Sequence, residues 1–150
     1  MEIRKAGIED AVLILDNRLA FIDEVLHTEL PANFKEGTYA YLQANLANGR
    51  LICYLATEQD TIISIALMST YETLPTLGNS SGKKGHLYNV HTAAPYRRHG
   101  LSTRVLQRTI EEAKSLGIGE IFLDYTADGK AVYEKLGFTH LDKDMVLKIS

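Results

Sequence analysis

The segment Tyr96-Arg97-Arg98-His99-Gly100-Leu101-Ser102 gathers basic side chains, a glycine and a hydroxyl between a strand-like apolar run and a helix-like one. The first turn of a helix has amide N–H groups without intrahelical partners, and the helix dipole is positive there. That arrangement binds phosphate, and Gly100 lets the backbone approach closely. Arg97 and Arg98 add charge, and Ser102 and Thr103 offer hydroxyl donors. The same residues also fit a basic loop that caps a helix. Two other phosphate patterns fail. Gly78-Asn79-Ser80-Ser81-Gly82-Lys83-Lys84 is one residue short of a Walker A loop and lacks the hydroxyl after its lysine. The Gly100 segment lacks the three glycines of a dinucleotide fingerprint.

A second stretch runs from Tyr125 to Phe138 and contains Gly129-Lys130-Ala131-Val132-Tyr133-Glu134-Lys135-Leu136-Gly137. It reads as a short amphipathic helix whose Tyr133 is either packed or hydroxyl-out. Cys53, the only cysteine, lies in the apolar run Leu51-Ile52-Cys53-Tyr54-Leu55 and reads as a buried thiol rather than a nucleophile. No grouping of His, Asp and Glu has metal-ligand spacing, so no metal is expected.

The elements that must position these residues follow from periodicity. Met1 to Ala6 reads as a strand. Ala11, Leu13, Ile14, Asn17, Arg18, Phe21, Ile22 and Val25 keep helical spacing to about His27. A second helix is predicted from about Phe34 to Asn48, closed by Gly49. Arg50–Thr57 and Thr61–Tyr71 form a hairpin turning at Glu58-Gln59-Asp60. Glu72–Gly85 is loop chemistry, of a length that is often functional or mobile. His86–Thr92 is the fourth strand. From Gly100 a strong helix carries Leu101, Val105, Leu106, Ile110, Ala113 and Leu116 on one stripe and stops at Gly117. Glu120–Thr126, Lys130–Leu136 and Asp144–Ile149 complete the order as strand, helix and strand. This order argues for one α/β domain over residues 1–150, with a right-handed parallel crossover from His86 to Thr126.

Bulk properties narrow the function classes. A 45% hydrophobic, 23% charged chain of 150 residues is globular rather than disordered. A net charge of −3 disfavours a nucleic-acid partner. Met1-Glu2-Ile3-Arg4-Lys5 lacks a signal-peptide pattern, and no run approaches the roughly 18 apolar residues of a membrane span. No membrane partner is expected, and the cytoplasm is the expected location.

Taken together, the two motifs resemble the GNAT superfamily of acyl-CoA N-acyltransferases. The resemblance rests on Tyr-Arg-x-x-Gly-x-Ser after a strand, a long helix, a strand, and then Gly-Lys-x-x-Tyr-Glu-Lys-Leu-Gly-Phe. It is strongest from His86 to Phe138. It implies a GNAT-like α/β domain with a mixed central sheet of about six to seven strands flanked by about four helices. It further implies acetyl-CoA as acyl donor, with the pyrophosphate on the backbone amides of Arg98, His99, Gly100, Leu101, Ser102 and Thr103 and Arg97 adding charge. The pantetheine arm would lie along Val90, His91 and Thr92, and Tyr133 would stand by the sulfur as general acid. Three departures are visible. Ser102 replaces the usual Gly or Ala, Pro95 lies one residue late, and Thr126 stands where the family often has Asn.

The implied chemistry is transfer of an acetyl group to a primary amine. A lysine-like amine of pKa about 10.4 is neutral only to about one part in 2,500 at pH 7, a cost of about 4.6 kcal/mol. A base therefore has value. Asp124 is the leading candidate, with His91, Glu72 and Asn89 (through a water) as rivals. The acceptor is expected to touch the first two helices and the Glu72–Gly85 loop, where Asp23, Glu24, Glu29 and Glu36 could attract a cation. It could be a small amine, an amino acid, an antibiotic or a protein N-terminus. A homodimer fits the family, and the competing reading is a non-catalytic CoA-binding regulatory domain.

Overall fold

A computed structural model describes residues 2–150. A short strand β1 (Ile3–Lys5) leads through a 3-10 turn at Ile8–Asp10 into α1 (Ala11–Leu26), followed by α2 (Phe34–Asn48). Three antiparallel strands come next, β2 (Leu51–Glu58), β3 (Thr61–Glu72) and β4 (Lys83–Thr92). Then α3 (Leu101–Ser115) crosses to β5 (Glu120–Leu123), which pairs parallel with β4, and α4 (Lys130–Lys135) closes the order. The five-stranded sheet has the order β1-β2-β3-β4-β5. It is a single mixed α/β domain, and the expected crossover is present and parallel.

The apolar runs in β2 and β3 are long because both faces of the sheet are covered. On one face α1 and α2 bury Ile14, Leu15 and Leu42 against Leu51, Cys53, Leu55, Ile65 and Leu67. On the other, α3 buries Leu101, Val105, Leu106 and Ala113 against Ile52, Ala66, Met68 and Leu87, with Val132, Tyr133 and Leu136 of α4 packed alongside. Leu55 and Ile65 are wholly buried, and such side chains each contribute about 1.5–3 kcal/mol. The hairpin turns on Gln59 and Asp60, both with positive φ, as a two-residue turn matching strand twist requires. Cys53 is fully buried, and desolvation pushes its thiol far above the usual range, as the buried reading expects.

Three expectations are corrected. The sheet has five strands rather than six or seven, because Asp144–Ile149 forms no ladder and leaves Met145, Leu147 and Ile149 exposed. Strand propensity is local, whereas a ladder needs a partner edge, and short strands do not persist alone. The connection before β4 is shorter than expected and internally bonded. Thr73 N–H donates to Gly82 O at 2.8 Å, and Asn79 Nδ2 donates to Lys83 O at 3.0 Å. Leu116 ends the α3 stripe 44% exposed. The first strand covers Ile3–Lys5, and Met1 lies outside the described residues. Among the described residues, no helix is long and apolar enough to cross a membrane.

Candidate active site

The site begins where β4 loses its partner. The β4–β5 ladder runs from Lys84↔Glu120 to Leu87↔Leu123 and stops there. Beyond it, Tyr88–Thr92 has no strand on the β5 side, so backbone groups on that edge are open. At the same place β4 bulges. Ile65 pairs with His91 and Leu67 with Tyr88, so Ala66 alone faces Asn89 and Val90. Asn89 takes positive φ (54°), the local twist of a bulge. Its side chain is buried, and its Nδ2 donates to Asn17 Oδ1 of α1 at 2.9 Å. Asn89 Oδ1 is buried with no hydrogen-bond partner among the described residues.

From Thr92 the chain passes through a 3-10 turn at Ala94–Tyr96 into Arg97-Arg98-His99-Gly100 and then α3. Arg98 and Gly100 both adopt left-handed backbone, with φ of 67° and 76°. A Cβ added at Gly100 would meet no atom within 4 Å beyond its own chain neighbours, so the space immediately beside it is open. The first helical hydrogen bond of α3 is Arg104 N–H to Gly100 O, at 3.0 Å. The amides of Leu101, Ser102 and Thr103 are therefore free for an anion.

The hydroxyl of Ser102 turns inward, 2.6 Å from Thr92 Oγ1, which in turn lies 2.8 Å from Ser64 Oγ. This buried chain ties the head of α3 to β4 and β3. Arg97 also turns away from the helix head. Its Nε donates to Thr92 O at 2.9 Å, and its guanidinium lies 3.3 Å from Glu24 Oε1. Arg98 and His99 are exposed.

His91 points to α1. Its Nε2 lies 3.2 Å from Glu24 Oε2, and its ring meets Phe21 edge-on. Burial lowers its pKa, Arg97 adds to that, and Glu24 opposes, so the imidazole is neutral at pH 7. Asp124 is exposed and immediately follows the last paired residue of β5. It is close to Tyr88, whose pKa is raised first by burial, then by Tyr41, Tyr71 and Asp124, against Arg18. Tyr133 packs on the α3 face, beside the same core cluster as Val90, with its ring edge-on to Phe138 at 5.7 Å. Burial raises its phenol pKa.

The structure thus brings Val90, His91, Thr92 and the 97–103 segment together and puts Asp124 at the parting of β4 and β5, while Tyr133 packs against the α3-side core that Val90 and Leu123 also join. Glu72 does not join them. It pairs with Lys83 at the other end of β4, about 20 Å along the strand from the bulge. The 73–82 loop lies at that far end too, where Ser81 Oγ donates to Gly117 O. It therefore lies away from the parting of β4 and β5.

Sequence reasoning missed Ser64 and the pocket-forming roles of Arg18, Tyr41 and Tyr88. A serine inside Ile62-Ile63-Ser64-Ile65 was one available signal. Two polar residues, Asn17 and Arg18, on the inward stripe of α1 were another. Among the described residues, no three His, Cys, Asp or Glu cluster as metal ligands.

Residues 19–138 match the Acetyltransferase (GNAT) family. That span is most of the chain. The chain belongs to the GNAT acetyltransferase family. Among solved structures, a predicted acetyltransferase with acetyl-CoA from Clostridium acetobutylicum superposes with a TM-score of 0.88 at 31% identity, covering 99% of this chain and 96% of that one. The glucosamine 6-phosphate N-acetyltransferase of Arabidopsis thaliana is 25% identical over 93% of this chain and 90% of its own. A probable glucosamine 6-phosphate N-acetyltransferase 2 from Oryza sativa subsp. japonica is 38% identical over 44% of this chain, a match spanning 40% of that protein. As a GNAT member, the chain has the strand parting and helix head as its two most informative features.

Proposed function

We propose that this protein transfers the acetyl group of acetyl-CoA to a primary amine by direct attack on the thioester. The observation that carries the reading is the parting of β4 from β5 after Leu87↔Leu123, which leaves the edge of Tyr88–Thr92 open up to Thr92, where Ser102 ties in the unbonded first turn of α3. An extended, phosphorylated thioester needs both parts: an open strand edge for its amide-bearing arm and a helix head for its pyrophosphate. Val90, His91 and Thr92 supply the edge. Arg98, His99, Gly100, Leu101, Ser102 and Thr103 supply the head, while Arg97, turned to Thr92 and Glu24, braces the segment rather than charging it.

The neutral amine attacks the carbonyl carbon, the C–S bond breaks, and the amide and the CoA thiolate result; the thiolate then takes a proton from solvent to give free CoA. Open amides of β4 polarise the carbonyl oxygen. Asp124 accepts the proton the amine loses, directly or through water. Tyr133 hydrogen-bonds the sulfur as negative charge develops on it.

Calorimetric titration with acetyl-CoA, with CoA and ATP as controls, tests the donor half. Micromolar binding of acetyl-CoA and none of ATP is expected. Thiol release is then followed over a panel of primary amines, in which the plant relatives' names place glucosamine 6-phosphate. Absence of acetyl-CoA binding overturns the reading. Binding without thiol release across the panel favours a non-catalytic CoA-binding domain.

A further inference from the structure

On the α1–α2 face, a cavity of about 430 Å³ opens beside the parting of the strands. Its walls include Arg18 of α1, Thr38 and Tyr41 of α2, Ser69 of β3 and Tyr88 of β4. Tyr88 is the residue directly after the last β4–β5 pair, so the cavity abuts the reaction side of the cleft. The volume suits a small metabolite rather than a macromolecular surface.

The charge in this cavity is one-sided. Arg18 is the only charged residue of the lining, and no carboxylate borders it. Arg18 is partly buried, and among the described residues it forms no ion pair. Guanidinium groups stay protonated in proteins, so this is a fixed cation drawn from water without a counter-charge. Such a group is unfavourable until an anion meets it. The acidic residues expected to attract a cation stand elsewhere. Glu24 is taken by His91 and Arg97, while Asp23, Glu29 and Glu36 are exposed and outside the lining.

We propose that the acceptor is a small primary amine bearing an oxyanion, carboxylate or phosphate, and that Arg18 receives that oxyanion in the α1–α2 cavity. This rests on the acetyltransferase reading above and specifies its substrate class. The spacing is suitable. Arg18 and Tyr88 share the lining, and Tyr88 is the residue directly after the last β4–β5 pair, so a small molecule lying between them spans from the guanidinium to the start of the parting. A planar guanidinium donates two parallel N–H bonds to a carboxylate or a phosphate alike. Tyr41 and Ser69, hydrogen-bonded to each other at 2.8 Å, offer neutral hydroxyls to the rest of the molecule.

The test uses acetyl-CoA-loaded protein and matched amine pairs: an amino-sugar phosphate beside its unphosphorylated sugar, and amino acids beside their amides. Wild-type kcat/KM should favour the anionic member of at least one pair by about 30-fold or more. Which pair shows it tells phosphate from carboxylate. Arg18→Gln should abolish that preference mainly through KM, Arg18→Lys should retain part of it, and acetyl-CoA affinity should hold in both. Equal or better turnover of the uncharged members overturns the proposal, as does an equal loss for both members in Arg18→Gln. If acetyl-CoA binds and no amine is turned over, calorimetry of the same pairs against CoA-loaded protein decides. Anion-selective binding lost in Arg18→Gln supports the anion site although the transferase reading fails, and no selective binding overturns it.

Discussion

Tyr133 shows how burial sets the role of one side chain. A phenol near pKa 10 is already a weaker acid than a thiol near 8.5, so full transfer to the CoA thiolate is uphill by about 2 kcal/mol. Burial raises the Tyr133 pKa further. The group therefore stays protonated through neutral and mildly alkaline pH, which in the proposed mechanism makes it a hydrogen-bond donor to the sulfur rather than a full proton source. Tyr133→Phe is expected to lower kcat about 10- to 100-fold while leaving the acetyl-CoA Kd nearly unchanged, as read by steady-state kinetics and calorimetry. An unchanged kcat would remove Tyr133 from the mechanism. Its motif was legible in the sequence, but its environment was not, since a short amphipathic helix allows a tyrosine either to pack, the commoner case, or to turn its hydroxyl out.

Elements carry the donor side. The head of α3 depends on a left-handed residue at Gly100, where a side chain costs about 1 kcal/mol in backbone strain. Gly100→Leu also fills the open space beside the free amides. We expect acetyl-CoA affinity to fall about tenfold or more by calorimetry, with the fold retained by circular dichroism. Affinity equal to wild type would refute the helix head as the phosphate site. At the other end of the domain, Asp10 anchors the 3-10 turn before α1 to β1. Its carboxylate takes two bonds from Arg4, at 2.8 and 2.9 Å, and one from Gly7 N–H. The Arg4 bonds foremost, with Gly7 helping, hold the Asp10 pKa below its ordinary value against burial. A depressed carboxylate stabilises the fold above its unfolded pKa near 3.9 and loses that contribution as pH falls through the native value. Asp10→Asn should therefore cost about 1–2 kcal/mol at pH 7, discounted for the partly exposed Arg4, and progressively less as the pH is lowered below 4. Urea unfolding at both pH values measures it. A loss that does not shrink in acid would point to packing instead.

At the scale of the whole molecule, one sheet separates two chemistries. The helix head and Tyr133 belong to the α3–α4 side, the Arg18 cavity belongs to the α1–α2 side, and the gap past Leu87↔Leu123 joins them. A ligand lying in that gap holds both layers at once and binds only the folded chain. At a concentration of 100 times Kd, acetyl-CoA should stabilise the protein by about 2.7 kcal/mol, raising Tm by roughly 5–10 °C in differential scanning calorimetry. A Tm that stays put under saturating acetyl-CoA would contradict a cleft of this kind.

The sequence alone determined everything that is local or spaced along one element. The hairpin and its turn, the three long helices, the parallel crossover, the loop from Tyr96 to Ser102 and the Tyr133 helix all follow from periodicity, capping and turn chemistry. What joins distant segments needed the tertiary structure. The 144–149 run has the composition of a strand and lacks a partner edge. The 73–82 loop has the composition of a functional loop and lies at the wrong end of β4. Ser102 carries a hydroxyl that Thr92 occupies. Arg18, a cation on an inward helix stripe, became informative only when the fold placed it in a cavity without a carboxylate. A residue's type and spacing are local, whereas its counter-charges and the space around it are set by elements far away in the chain.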